Sequence, residues 1–314
     1  MSKRVLCLGI MVGDFLVKPV EKIPEKGKLT LVERTELHLG GCAVNTGVVL
    51  KKLGVETGII GKVGNDNLGR FLIEKLRDEG LDVNGIKISE ECSTSGTSVL
   101  VHSDGERSFL HSMGTNAYLG LEDVDFSFIE KFQIFHIAGT FLMPGFDGKP
   151  TAEALKIAKE KGLVTCLDTC WDATGRWLER LKESLPYIDY FLPSIEEAKM
   201  LTGMEKPEDI SGFLIDSGVK NVCLKMGIKG SFISNGKERY YFDALNKAPV
   251  DTTGAGDGYV AGFIAGMVRG FSFKKCGMLA NLVGAEIATS VGATSGVTSY
   301  EDTMEFGKKH EYSF

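Results

Sequence analysis

Short, nearly unbroken apolar runs punctuate this chain at 4–9, 57–61, 134–137, 164–168, 190–192 and 222–225, each with the length and composition of a strand buried on both faces. Between and after them, apolar residues recur at helical spacing over 43–53, 68–79, 151–161, 195–202, 207–217, 255–269, 273–290 and 300–309. Strand and helix in alternation predict an α/β fold with a mainly parallel central sheet, helices on both faces, and ligands beyond the carboxyl ends of the strands. Two stretches break the rhythm. Residues 28–39 (KLTLVERTELHL) and 97–111 (TSVLVHSDGERSFLH) alternate with a period of two, the second around Asp104-Gly105, a hairpin-turn pair. Because they interrupt the α/β pattern, they predict a small β-sheet lid over the main sheet's edge, supplied by insertions at about 15–39 and 97–111. No repeat, low-complexity tract or linker marks a boundary, so residues 1–314 read as a single domain.

Composition narrows the function classes. A net charge of -6 over 314 residues lacks the dominant basic face that a general nucleic-acid or anionic-membrane binder needs. Lys3-Arg4 followed by VLCLGIMVG superficially resembles the start of a secretory signal, but Asp14 cuts the run and a buried first strand explains it better. No other apolar stretch approaches the roughly 20 residues that span a bilayer. The seven cysteines (7, 42, 92, 166, 170, 223 and 276) are odd in number and scattered, as suits reduced thiols in a cytoplasmic protein. Cys166 and Cys170 match neither a CxxC redox motif nor a zinc knuckle.

The candidate chemistry lies in Asp251-Thr252-Thr253-Gly254-Ala255-Gly256-Asp257-Gly258, directly before a long apolar helical stretch. Backbone N–H groups of Gly254, Ala255 and Gly256 at that helix's N-terminus would make an anion hole, since unpaired amides and the helix dipole favour phosphate there. Asp257, in the first turn, would take a proton from an attacking hydroxyl. The pair suggests phosphoryl transfer to an alcohol; the alternative is an ordinary glycine turn opening a helix. A second glycine pair, Gly40-Gly41, leads into another helix that carries Asn45, whose amide can both donate to and accept from hydroxyls. Asp14, just past the first strand, offers a carboxylate that two hydroxyls could chelate; its alternative is a solvated loop aspartate.

Taken in order, these residues resemble the ribokinase-like, or PfkB, family of carbohydrate and nucleoside kinases. Gly40-Gly41-x-Ala43-x-Asn45 and Asp251-Thr252-x-Gly254-Ala255-Gly256-Asp257 match its two signatures. Gly61-x-x-Gly64-x-Asp66-x-x-Gly69, Asp104-Gly105-Glu106-Arg107, Pro193-Ser194-x-x-Glu197 and Gly227-x-x-Gly230 follow in family order between them. The resemblance implies Asp257 as catalytic base, with Gly254, Ala255 and Gly256 as anion hole, and Asp14, Gly40, Gly41 and Asn45 as acceptor-binding residues. It further implies ATP and Mg²⁺, with Glu197 organising the magnesium through water and Gly227, Gly230 and Asn281 bordering the nucleotide. Some relatives bind K⁺ through backbone oxygens, and Asp251, Thr253 and Gly292 match those positions. A homodimer in which two lids cover each other is also known among relatives.

Two residues depart from the family. Ser194 stands where asparagine is common; its hydroxyl can still bind water. Lys225 replaces a frequent threonine and would either reach a nucleotide phosphate or snorkel to solvent. Relatives acting on sugar acids carry an arginine where this chain has Asp172, so the expected acceptor is a neutral sugar or related polyol, with a nucleoside kinase or a non-catalytic ATP or sugar sensor as alternatives. A dinucleotide fingerprint is absent, because Tyr259 stands where it needs glycine. No histidine joins a nucleophile motif; His136, on an apolar strand, reads as a satisfied core residue, and Trp171 and Trp177 as packing groups or pocket walls.

Overall fold

The computed structural model describes residues 4–103, 106–245 and 248–312. Its elements are, in order, β1 (Val5–Gly9), β2 (Val12–Lys18), β3 (Arg34–Gly40), α1 (Cys42–Lys52), β4 (Thr57–Gly64), α2 (Asn67–Asp78), β5 (Asp82–Ser89), β6 (Gly96–Val101), β7 (Arg107–Ser112), α3 (Phe126–Ile129), β8 (Ile134–Thr140) and α4 (Lys149–Glu160). There follow β9 (Val164–Thr169), α5 (Trp177–Leu181), β10 (Tyr190–Phe191), α6 (Ile195–Thr202), α7 (Pro207–Asp216), β11 (Asn221–Lys225), β12 (Ser231–Ser234), β13 (Arg239–Phe242), α8 (Ala255–Val268), α9 (Phe273–Ile287) and α10 (Tyr300–Lys309).

Among the described residues, nine strands form one sheet in the order β13-β12-β11-β10-β9-β8-β1-β4-β5, parallel from β11 through β5 and finished by the antiparallel β12 and β13. The apolar runs are unbroken because both faces of this sheet are covered. Val5 and Cys7 of β1 face one core with Val44 of α1, Leu72 of α2 and Val260 of α8, while Leu6 and Leu8 face the other with Phe128, Leu155 and Leu214 from α3, α4 and α7. The doubly covered parallel sheet expected from the alternation is therefore present. What the pattern did not show is the β12–β13 hairpin, whose strands are four residues each, too short to separate from loop by period alone.

A second, four-stranded sheet runs β3-β2-β6-β7. Its composition corrects the sequence reading. Within 28–39 only Arg34 onward is strand; Leu29 and Leu31 lie 80% and 87% exposed, because their alternation has no neighbouring strand to pair with. Asp14 is not in a loop but inside β2, opposite His38 on β3 and Thr97 on β6. The turn at Asp104-Gly105 lies outside the described residues, yet β6 and β7 pair antiparallel on either side of it, Val101 opposite Arg107. Lys3 is likewise outside.

Candidate active site

Gly254 caps α8 with φ 74, a left-handed conformation that glycine adopts without strain, and a Cβ there would stand 2.2 Å from the Ala293 carbonyl oxygen. That turn aims the first amides of α8 out of the helix. The Ala255 N–H donates to the Thr252 carbonyl at 3.1 Å, so of the three amides expected to form the anion hole this one is engaged within the turn. Gly256 and Asp257 follow in the first turn, where an α-helix leaves N–H groups without an internal acceptor.

Asp257 is buried against α1. Asn45 Nδ2 donates to its Oδ2 at 2.8 Å, and Thr46 Oγ1 donates to its carbonyl at 3.4 Å. Burial raises the Asp257 carboxyl above the usual aspartate range, and the Asn45 hydrogen bond and the Lys225 charge only partly oppose it. Asn45 Oδ1 is buried with no hydrogen-bond partner among the described residues, a cost unless a bound group supplies a donor.

Two hollows flank this helix terminus. One, of about 480 Å³, is lined by Ser194, Glu197, Lys225, Gly227, Gly230 and Asn281, together with Ala255 and Gly256. The other, a cleft of about 590 Å³ between the two sheets, is lined by Asp14, Gly41, Cys42, Asn45, Arg107 and Cys170, together with Thr253 and Gly292. Most sequence-predicted residues thus line one hollow or the other, whereas Gly40, Asp251, Gly254 and Asp257 line neither. Gly40 supports the cleft from behind: a Cβ there would lie 2.1 Å from Asp14 Oδ2. Burial raises the Asp14 carboxyl, against the pull of the Thr97 hydroxyl and His38.

Several expectations are corrected by these contacts. Lys225 does not snorkel: its side chain is 14% exposed and its Nζ sits 2.7 Å from both oxygens of the buried Asp168. Burial works to lower the lysine, but Asp168 and then Glu197 outweigh it and hold it charged, whereas burial pushes Asp168 up to about 7 in spite of Lys225. Ser194 serves α6 as its cap, Oγ accepting from the Glu197 N–H at 3.3 Å while Glu197 Oε2 accepts from the Ser194 N–H at 2.9 Å. Thr169 Oγ1 donates to the same Oε2 at 3.0 Å. Asp172 does not line the cleft and closes a turn, accepting from the N–H groups of Thr174 and Trp177, so its identity says little about the acceptor. His136 is buried without a well-formed hydrogen bond and burial lowers it to about 3, a neutral ring rather than a satisfied one. Trp177 is core, and Trp171 is surface packed edge-on against it.

Arg107 is the site residue to which sequence reasoning gave no role. From β7 it reaches across the cleft, Nη2 donating to Asp251 Oδ2 at 2.6 Å and Nη1 to the Thr253 hydroxyl. Asp251 also accepts from the N–H groups of Thr253 and Gly292, at 3.0 and 2.8 Å. The signal was the hairpin that ends in Arg107; its target lay 144 residues away. Asn281 is held by Ser231 and by its own donation to the Asp243 carbonyl at 2.8 Å.

Residues 2–299 match the family model described as the pfkB family carbohydrate kinase, and the chain belongs to that family. It is a kinase of that class, an ATP-dependent phosphotransferase with an alcohol acceptor. An uncharacterized sugar kinase of Archaeoglobus fulgidus is 30% identical, covering 79% of this chain and 97% of that protein. An ATP-dependent 6-phosphofructokinase of Thermoanaerobacterium thermosaccharolyticum is also 30% identical, over 90% and 88% of the two chains. Among solved structures, Arabidopsis thaliana ribokinase complexed with ribose and ATP superposes with a TM-score of 0.82 at 24% identity, covering 98% of this chain and 99% of that one. Ribokinase of Thermotoga maritima gives 0.84 at 23%, over 98% and 99%. At such identities the structural likeness speaks for the fold alone.

Proposed function

We propose that this kinase transfers the γ-phosphoryl group of ATP to a hydroxyl of a small neutral sugar or related polyol. The observation that carries the reading is Asp257, buried between Gly256, which lines one hollow, and Asn45, which lines the other and fixes one carboxylate oxygen. The acceptor lies in the cleft between Asp14 and Asn45, whose unpaired Oδ1 takes a hydrogen bond from one hydroxyl. Asp257 accepts the proton of the attacking hydroxyl, and its raised pKa brings it closer in basicity to that task. Gly254, Ala255 and Gly256 present the helix terminus to the transferred group, while Gly227, Gly230, Lys225 and Asn281 border the nucleotide. A magnesium ion keeps most of its waters and phosphate oxygens, so Glu197, a single carboxylate bordering the pocket, suits it as an outer ligand. When bound, Mg²⁺ supplies charge neutralisation on the phosphates.

Lys18 and Lys75 also line the cleft, but its arginines are already matched by the chain itself, which supports a neutral acceptor. Arg107 pairs with Asp251, and Arg34 and His38 both pair with Glu36. K⁺ at the backbone of Asp251, Thr253 and Gly292, a cytoplasmic setting, and a homodimer through the lid face, where Phe109 and Leu110 are 59% and 58% exposed, belong to the same proposal. Among the described residues no helix is long and apolar enough to cross a membrane. The test is ADP release from Mg-ATP over a panel of ribose, fructose, other hexoses, inositols, sugar acids, fructose phosphates and nucleosides. Turnover of a neutral sugar or polyol supports the reading; turnover confined to nucleosides, sugar acids or sugar phosphates replaces its acceptor, and ATP binding without turnover of any acceptor favours a sensor.

A further inference from the structure

Two thiols from distant parts of the chain meet in the cleft. Cys42 is the first residue of α1 and Cys170 follows the end of β9, yet their Sγ atoms lie 3.4 Å apart across 128 residues of sequence. Both line the cleft and both are half-buried, whereas Cys7, Cys166, Cys223 and Cys276 are fully buried. Small oxidants that enter the cleft therefore reach this pair. A disulfide would require the sulfurs to approach by roughly 1.4 Å more, to a bond of about 2.05 Å.

We propose that Cys42 and Cys170 form a modification site, in which a two-electron oxidant of the hydroperoxide class joins them in a disulfide inside the cleft and reversibly stops turnover. The inactivation rests on the proposed placement of the acceptor; the cross-link does not. Cys42 is held as the thiol by its hydrogen bond with Cys170, then by burial and the nearby Asp257 carboxylate, so Cys170 opens the reaction. Its thiolate attacks one peroxide oxygen; the S–O bond forms as O–O breaks and hydroxide leaves. Cys42 sulfur then attacks the sulfenic sulfur, and its proton departs with the hydroxyl as water. Overall, two thiols give up two electrons to hydrogen peroxide and yield a disulfide and two waters. A dithiol reverses the step by exchange.

The consequence follows from where Cys42 sits. It stands three residues before Asn45 on the first turn of α1, near the Asp257 carboxylate. Drawing it toward Cys170 shifts the turn whose Asn45 fixes the Asp257 carboxylate, while the new bond spans part of the cleft.

The experiment treats the full-length protein with hydrogen peroxide and digests it without reduction. Mass spectrometry is expected to show the Cys42 and Cys170 peptides joined and lighter by two hydrogens, and dithiothreitol to separate them. In parallel, turnover falls by roughly a hundredfold, the scale of a misplacement of about 1 Å, and returns with dithiothreitol. Cys170→Ser and Cys42→Ala, each compared with its own untreated activity, keep that activity under peroxide; Cys92→Ser behaves as the parent. Absence of the joined peptide, with Cys42 and Cys170 recovered as free or singly oxidised residues, overturns the site. Undiminished turnover in fully joined protein, or equal peroxide loss in Cys170→Ser and Cys42→Ala, overturns the inactivation. If no acceptor is turned over, the kinase reading fails by itself, and the joined peptide still decides the thiol pair.

Discussion

The pocket proposed for the nucleotide and the cleft proposed for the acceptor share one helix terminus but are built of different material. The pocket is largely backbone: the Gly254–Gly256 turn, the Gly227 to Gly230 turn and the capped start of α6, with Lys225 tied to Asp168 behind them. The cleft is largely side chains drawn from separate strands, namely Asp14, Thr97, His111 and Arg107, facing Asn45 and two cysteines. Gly230 and Gly254 have no room for a Cβ, which would stand 1.8 and 2.2 Å from a carbonyl oxygen, whereas a wall of side chains can be exchanged residue by residue.

The comparison can be broken or sharpened by substitution. Asp257→Asn, at the junction, should lower kcat by about 10² to 10⁴ while ATP still binds, as calorimetry would show; near-normal turnover removes it as base. On the pocket side, Gly254→Ala forces a Cβ against the Ala293 carbonyl and should lower kcat by roughly 10² to 10³. Lys225→Met leaves the buried Asp168 without its partner and should cost about 3 kcal/mol in denaturant unfolding. Adding Asp168→Asn should restore stability, and an apparent ATP KM that stays raised in the double variant would assign the lysine to phosphate. On the cleft side, Gly40→Ala displaces the Asp14 carboxylate and should raise acceptor KM by roughly tenfold, about one charged hydrogen bond, with ATP KM unchanged. The smallest effect is on pH dependence. Asp257 must be charged to accept a proton, and burial raises its pKa, so kcat/KM should fall on acidification from a higher pH than an exposed aspartate of about 3.9 would give. Removing the Asn45 hydrogen bond by Asn45→Ala should move that acid limb further up.

This division also explains what was legible in the sequence. Strands such as Val5–Gly9 declare themselves because both faces are apolar, and Gly254 and Gly40 because a conformation or a close approach excludes other residues. The amphipathic alternation of 28–39 misled, since alternation records a face and not whether a neighbour exists to pair with it. The Arg107–Asp251, Lys225–Asp168 and Cys42–Cys170 contacts were invisible because each joins residues at least 57 positions apart, and no local pattern encodes such a meeting. Lys225 was visible as a departure, but the carboxylate it answers lies on another strand.

Asp251 is clasped at once by a strand of the small sheet, by its own turn and by the Gly292 amide. Swinging the small sheet outward would strip a positive charge from that carboxylate, so if an acceptor enters by that motion, its admission means separating two opposite charges. Dissolved salt shields such a separation, and the exchange of acceptor should therefore quicken with ionic strength while the transfer itself hardly changes. An arginine on the lid thus makes the pace of loading answer to the surrounding electrolyte.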